Sequence, residues 1–220
     1  MIKYLSLICI STLALSCGSL QSETAEISNS EQLVLIPNNP FDILYIQSGV
    51  NFSTYKTMYI SPPKVEFEKN WQSRQNRNDA FRVTKQDIEK IRNMISQQLV
   101  DVFDREISEG STYTIVSTSE DADLILKPEL VNLDIVNPLN NQPYRIKVMA
   151  KSSGRMTLNG EIIETATNQA LLKFSDKNRS RKHQDFRWQS SVRIKSETNR
   201  ILIRWAQSLN LLINAETAEG

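Results

Sequence analysis

The chain has 220 residues, 40% hydrophobic and 23% charged, a composition that allows one ordinary globular domain with a sizeable core. Lys and Arg number 26 against 25 Asp and Glu, a net charge of +1, so no global field favours nucleic acid or a strongly acidic partner. A mean hydropathy of −0.38 excludes a polytopic membrane protein.

The chain opens with a single cation, Lys3, before an uncharged apolar stretch over residues 4–15. That length falls short of the ~20 residues of a spanning helix and suits the apolar core of a signal peptide. Small residues follow, then Cys17 and Gly18. The tetrad Ala14-Leu15-Ser16-Cys17 resembles the lipobox read by the bacterial lipoprotein signal peptidase, although Leu13 and Leu15 straddle Ala14 where the pattern prefers Leu three residues before the cysteine. The resemblance implies a leader over residues 1–16 and a lipidation site at Cys17, anchored in the membrane through acyl chains. Two readings stay open: acylation of Cys17, or ordinary secretory cleavage nearby that leaves a free thiol. Acylation is preferred, because an unpaired thiol in an oxidising compartment is a liability that the modification removes. Cys9 would leave with the leader, so the mature chain has no pair for an internal disulfide. By resemblance to the enteric sorting rule, Gly18 after the cysteine points to the outer membrane, with the rest of the chain facing the periplasm.

Residues 18–32, GSLQSETAEISNSEQ, are too polar to bury and read as a flexible tether spanning about 20 Å. Residues 33–55 scatter apolar side chains among Pro37, Pro40 and Gly49, which predicts an irregular arm laid on the domain and no strand pair. The expected organisation is therefore a leader at 1–16, a lipidated tether and arm at 17–50, and a single α+β domain at 51–220.

Within that domain residues 56–61 have strand character and Pro62-Pro63 stops them. Val65 and Phe67 alternate briefly before a polar loop, NWQSRQNRND. Thr84 with Asp87 three residues on is a near capping box, and Ile88, Ile91, Ile95, Leu99, Val102, Phe103 and Ile107 form one helical stripe stopped by Gly110. Residues 111–118 are β-branched and aromatic. In ADLILKPELVNLDIV the apolar parity switches, which predicts a bulge beside Pro128 and an edge or a bend. Residues 144–151 alternate, with Tyr144, Ile146, Val148 and Ala150 inward. GRMTLNGEII and ALLKFSDK read as a hairpin with Asn168 in the left-handed turn position. Ile201, Leu202, Trp205, Leu209 and Leu212 mark a second helix. The predicted class is α+β: a mainly antiparallel sheet of five or six strands, with two amphipathic helices packed on one face and a flexible N-terminal tether.

The lipobox, YKTMYISPPKVEF, the long amphipathic helix, ADLIL, GEIIETATNQALL and IRWAQSLNLLI occur in that order. Together they resemble the bacterial lipoprotein family catalogued as domain of unknown function 3313, over most of the chain after about residue 41. Family members often carry Asp-x-x-Thr-Gly-Glu in the hairpin, which Glu164 and Thr167-Asn168-Gln169 approximate. The order is also similar to small periplasmic domains of envelope assembly and secretion lipoproteins. The family has no established activity, so the resemblance carries over no catalytic residue.

The residues themselves offer little chemistry. One histidine, His183, and no cysteine beyond Cys17 after processing leave no material for a zinc site or a Ser-His-Asp triad. No glycine loop cradles phosphate, and residues 119–123, SEDAD, lack calcium-loop spacing and read as a turn. No catalytic residue, metal or cofactor is expected. Two features remain as an interaction surface. Arg179, Arg181, Lys182 and Arg187 cluster with Lys173 and Lys177 around a loop, where each cation near an anionic surface adds up to about 1 kcal/mol, or else they are the solvated charges of a hairpin extension, the preferred reading. Trp71 and Trp188 stand beside Arg and Gln, as in glycan or protein contacts, or else plug the end of a core. The expected role is a non-enzymatic structural or assembly lipoprotein of the envelope. The alternative is a ligand-binding or accessory subunit of a transport or secretion machine, with an envelope protein or glycan as partner and no nucleic acid.

Overall fold

The computed structural model describes residues 33–77, 82–110, 112–135, 148–150, 154–179, 187–189 and 191–215. The chain divides into two units, Met1–Ser30 and Glu31–Gly220, and every described residue belongs to the second. The leader, Cys17 and the tether over residues 18–32 lie outside the described residues.

The strands are β1 (Leu33–Leu35), β2 (Ile43–Gln47), β3 (Thr57–Ile60), β4 (Lys64–Phe67), β5 (Thr114–Val116), β6 (Leu124–Ile135), β7 (Val148–Ala150), β8 (Gly154–Glu164), β9 (Ala170–Arg179) and β10 (Arg187–Gln189). The helices are α1 (Trp71–Arg77), α2 (Lys85–Gly110) and α3 (Ser191–Ala215). The main sheet runs β1-β2-β9-β8-β6-β3-β5, with β4 beside β6 beyond the end of β3. β7 and β10 pair with each other as a separate ribbon.

This is the expected α+β class, with two corrections. The sheet is mixed, because β3 and β4 run parallel to β6 and β3 runs parallel to β5. Parallel neighbours need a long crossover. The 26-residue α2, about 39 Å long, supplies it by carrying the chain from β4 back to the start of β5. The second correction is a third helix: the stretch expected as a polar loop after Val65 and Phe67 contains α1.

The expected irregular arm is also a strand pair. β1 and β2 are antiparallel, and β2 pairs with β9. Between them Asn38 takes a positive φ, while the Asn39 side chain donates to Ile36 O (2.6 Å) and accepts from Phe41 N (2.8 Å), closing the turn. In β2 the buried Leu44 and Ile46 alternate with the exposed Ile43 and Tyr45, so both faces are apolar in type. Only Gln47 at the end of the strand marks the outer side as polar, too little to show the period of two.

α2 begins as expected. Thr84 N and Oγ1 donate to Asp87 Oδ2 at 3.0 and 2.7 Å, and Asp87 N donates back to Thr84 Oγ1 at 3.2 Å. α2 and α3 run parallel, side by side, and amides of α3 reach carbonyls at the end of α2: Asn210 Nδ2 donates to Glu106 O (3.0 Å) and Asn214 Nδ2 to Gly110 O (3.2 Å). Gly110 sits where a Cβ would be 2.1 Å from the Asn210 amide. The stripes of both helices join Leu44, Met58, Leu124, Leu126, Leu130, Leu158, Ile162 and Leu172 of the sheet in one buried cluster.

β6 shows how a proline fits the middle of a sheet. Leu126 O accepts from Ser61 N (2.9 Å), so residues of its parity, Pro128 included, aim their backbone polar groups toward β3 and β4. β3 pairs as far as Leu126 and β4 begins at Glu129, so the missing N–H faces the interruption between them. The bulge predicted beside Pro128 lies further on. The register shifts between Val131 and Asp134, with Asn132 at φ 54°, and the inward set changes there from Leu124, Leu126 and Leu130 to Leu133 and Ile135.

Candidate interaction surface

The described residues include only part of the predicted surface. Cys17, Arg181 and Lys182 lie outside the described residues, as does His183. Arg179 ends β9 opposite Arg155 of β8, while Arg187 and Trp188 pair with Ala150 and Met149 in the β7–β10 ribbon.

Trp71 belongs to the core and not to a surface: it is 1% exposed. Asn70 turns the chain through φ 62° and Trp71 opens α1, where its ring stacks on Phe67 (centroids 4.3 Å apart) and its Nε1 donates to Ile135 O at 3.0 Å. Four charges hold this end of the sheet closed. Arg74 Nη2 reaches Glu68 (2.5 Å) and Asp134 (3.1 Å), and Arg155 Nη2 reaches the same two carboxylates (2.5 and 3.4 Å). The Arg155 hydrogen bond, with support from Arg74, holds the Glu68 carboxyl below its ordinary range. An arginine that looked like part of an interaction motif is thus a latch for the helix that buries Trp71.

The face of the sheet opposite the buried cluster carries a polar array that spacing along one strand does not reveal. Cross-strand register sets Tyr45, Lys173, Glu161 and Lys127 in one row. The next row is Ile43, Ser175, Asn159, Glu129 and Lys64. In the first row Lys127 and Lys173 flank Glu161 at 4.0 and 3.9 Å. In the second, Lys64 Nζ bridges Glu66 (2.8 Å) and Glu129 (2.9 Å), Asn159 Nδ2 donates to Glu129 (3.4 Å), and Ser175 Oγ donates to Asn159 Oδ1 (2.8 Å). The hydrogen bonds to Glu66 and Glu129 raise the Lys64 pKa, and the one from Lys64 lowers that of Glu129. A shallow depression of about 520 Å³ is lined by the charged members of both rows with Asn159.

This array presents donors and acceptors side by side with its charges compensated, the pattern of cross-strand pairs on a wet sheet face. It can hydrogen-bond a polar partner, but it contains no nucleophile beside a base. Among the described residues no group of three or more His, Cys, Asp or Glu is placed to hold a metal ion. The acidic stretch 119–123 behaves as a turn: Asp123 Oδ2 accepts from Lys56 N (2.7 Å) and Thr57 N (2.9 Å), and Thr118 Oγ1 donates to Asp121 (2.7 Å). The outward parity of Lys173 and Ser175 was legible in their strand, but which residues of β6 and β8 they face depends on register.

No known family profile matches the chain, and no curated protein matches it. Solved structures similar to it include a Xanthomonas campestris protein of family DUF330 (8% identity, TM-score 0.42, 75% of this chain and 89% of that one). A DUF4136 family protein from Bacteroides thetaiotaomicron has 8% identity and a TM-score of 0.38 over 86% and 98% of the two chains. An uncharacterized lipoprotein B from Nitrosomonas europaea has 10% identity and a TM-score of 0.33 over 74% and 86%. Likeness at this level assigns no family, and the resemblance to domain of unknown function 3313 rests on the sequence motifs alone.

Proposed function

We propose that the chain is an outer-membrane lipoprotein, held by acyl chains on Cys17, whose domain faces the periplasm and works by binding, as a structural or assembly module, and not by catalysis. The observation that carries this reading is the order of the first 18 residues: Lys3, an uncharged apolar run, Ala14-Leu15-Ser16-Cys17, then Gly18. Two or three acyl chains hold a protein to a bilayer effectively permanently, whereas one is marginal. Among the described residues no helix is long and apolar enough to cross a membrane. The polar array on the open sheet face supports a binding role, since its groups are paired donors and acceptors with no reactive pair among them. The test is Cys17→Ala with fractionation of cells: the substituted chain is expected in the soluble periplasmic fraction, and retention in the membrane equal to that of the unsubstituted chain contradicts the anchor.

The second reading, an accessory subunit of an envelope machine, is favoured by the β7–β10 ribbon, which carries Arg187 and Trp188 apart from the main sheet. Trp188→Ala with Arg181→Glu is expected to lose a co-purifying partner on that reading, and to change nothing if the ribbon is only scaffold.

A further inference from the structure

Six large hydrophobic side chains are markedly exposed among the described residues, and four of them share one corner of the sheet: Val34 (50%), Leu35 (56%), Ile43 (45%) and Tyr45 (38%). Met94 and Leu211 sit on the helices. The corner is the β1 edge, the outermost strand of the main sheet. Ile36 N donates to Leu44 O (2.9 Å), so Ile36 and Val34 direct their backbone groups toward β2, and Leu33 and Leu35 direct theirs outward. Natural sheets protect such an edge with charge or proline. β1 and β2 contain neither within their residues, LVL and ILYIQ, and the brevity of β1, three residues with Pro37 beyond Ile36, confines the open edge to Leu33 and Leu35.

We infer that β1 pairs antiparallel with the β1 of a second copy of this chain, about a two-fold axis at Val34. The register follows from the directions of the backbone groups. Leu33 lies opposite Leu35 of the copy, each outward N–H meets an outward carbonyl, and the two-fold generates four hydrogen bonds from residues that otherwise face solvent. Val34 then meets its own counterpart in a non-hydrogen-bonded pair, where Cβ atoms approach to about 5 Å. Val34 shares the parity of the buried Ile46 yet is half exposed, so the helices stop short of β1 and leave room for the copy on that side. Charge is no barrier to an identical partner. A two-fold contact sets like charge against like charge near its axis, and this strip has no charge to repel its own copy. The chain's own tether is a poor occupant, because residues 18–32 are mostly Ser, Glu, Asn and Gln. Four half-exposed side chains per protomer amount to a few hundred Å², well below the ~1,600 Å² of a standard stable interface, so the pairing is weak and concentration-dependent.

The test places single cysteines in the full chain at Val34→Cys and, as a control of similar exposure elsewhere, Leu211→Cys. Disulfide formation is followed in membranes of expressing cells, with the unsubstituted chain setting the background from Cys9 and Cys17. Val34→Cys is expected to form a disulfide-linked homodimer at least ~10-fold faster than Leu211→Cys, given the Cβ approach at the axis. Equal rates, or capture of a different polypeptide by Val34→Cys, overturn the inference. In parallel, sedimentation of the detergent-purified full chain is expected to show concentration-dependent association that Val34→Lys abolishes. Association unchanged by that substitution overturns the inference as well. Both readouts report the position of β1 whether or not Cys17 carries lipid.

Discussion

At the scale of single residues, the most constrained polar group is Asp176. It is 7% exposed, and its carboxylate accepts from Trp205 Nε1 (2.6 Å), Arg204 Nη2 (3.1 Å) and Asp42 N (3.2 Å), tying α3 and the β2 turn to β9. A buried carboxylate persists when its partners are hydrogen-bonded to it, and removing it strands donors away from water. Asp176→Ala is expected to destabilise the fold by about 2 kcal/mol or more, read as a lowered urea midpoint, because the indole N–H of Trp205 loses its acceptor. A midpoint within error of the parent would contradict this role. A pH prediction follows from Glu68, Asp87, Glu106, Asp123 and Glu129, which are all held below their ordinary values of 4.5 for Glu and 3.8 for Asp. A folded-state pKa below the unfolded one means the unfolded chain binds the proton more readily, so stabilisation is complete above those ordinary values. It is lost as pH falls through the folded ones. Urea midpoints measured from pH 7 downward should hold to about pH 5 and then decline, with a shallower acid limb in Glu68→Gln; a rise below that pH would contradict the sign.

At the scale of elements, every non-glycine residue with positive φ among the described residues is an asparagine: Asn38, Asn70, Asn132 and Asn168. Each marks a place where an element turns, enters or slips. Asn168 was legible because it stood in a short polar gap between two alternating runs. Asn132 was not, because it sits inside a long apolar strand whose parity change drew attention to Pro128. The left-handed region disfavours β-branched side chains by roughly 1–2 kcal/mol, while glycine occupies it freely. Asn132→Val is therefore expected to destabilise by about that amount and Asn132→Gly to be near neutral. Equal losses in urea midpoint would place the register shift elsewhere. The helices α2 and α3 were readable from spacing alone: the stripe of α2 matches its buried set Ile91, Ile95, Leu99, Val102, Phe103 and Ile107, and that of α3 matches the buried Ile201, Leu202, Trp205 and Leu209. α1 was unreadable: a single tryptophan is its only buried residue, and its hold on the sheet comes from Arg74, which pairs with Glu68 just before the helix and with Asp134 60 positions further along, and from Trp71 Nε1 on Ile135 O. The same limit hid the mixed sheet, because strand direction depends on where α2 returns the chain.

At the scale of the whole molecule, the proposed anchor at Cys17 precedes a domain whose open sheet face and β1 edge are the proposed binding surfaces. The proposed anchor rests on the sequence alone, because cleavage and acylation signals are local and linear. The polar array was not, because it exists only once β4, β6, β8 and β9 are in register. The basic segment over residues 173–187 divides between these categories: Lys173 enters the array opposite Glu161 and Tyr45, whereas Arg181 and Lys182 lie outside the described residues. The proposed anchor would fix where those surfaces work, and its chemistry is accessible directly. Intact-mass and N-terminal peptide mass spectrometry of the chain purified from its native membranes should find a mature protein that starts at position 17, with the added mass of a diacylglyceryl group and an amide-linked acyl chain. A chain that retains residues 1–16, or one that starts elsewhere with an unmodified thiol at Cys17, would contradict the account.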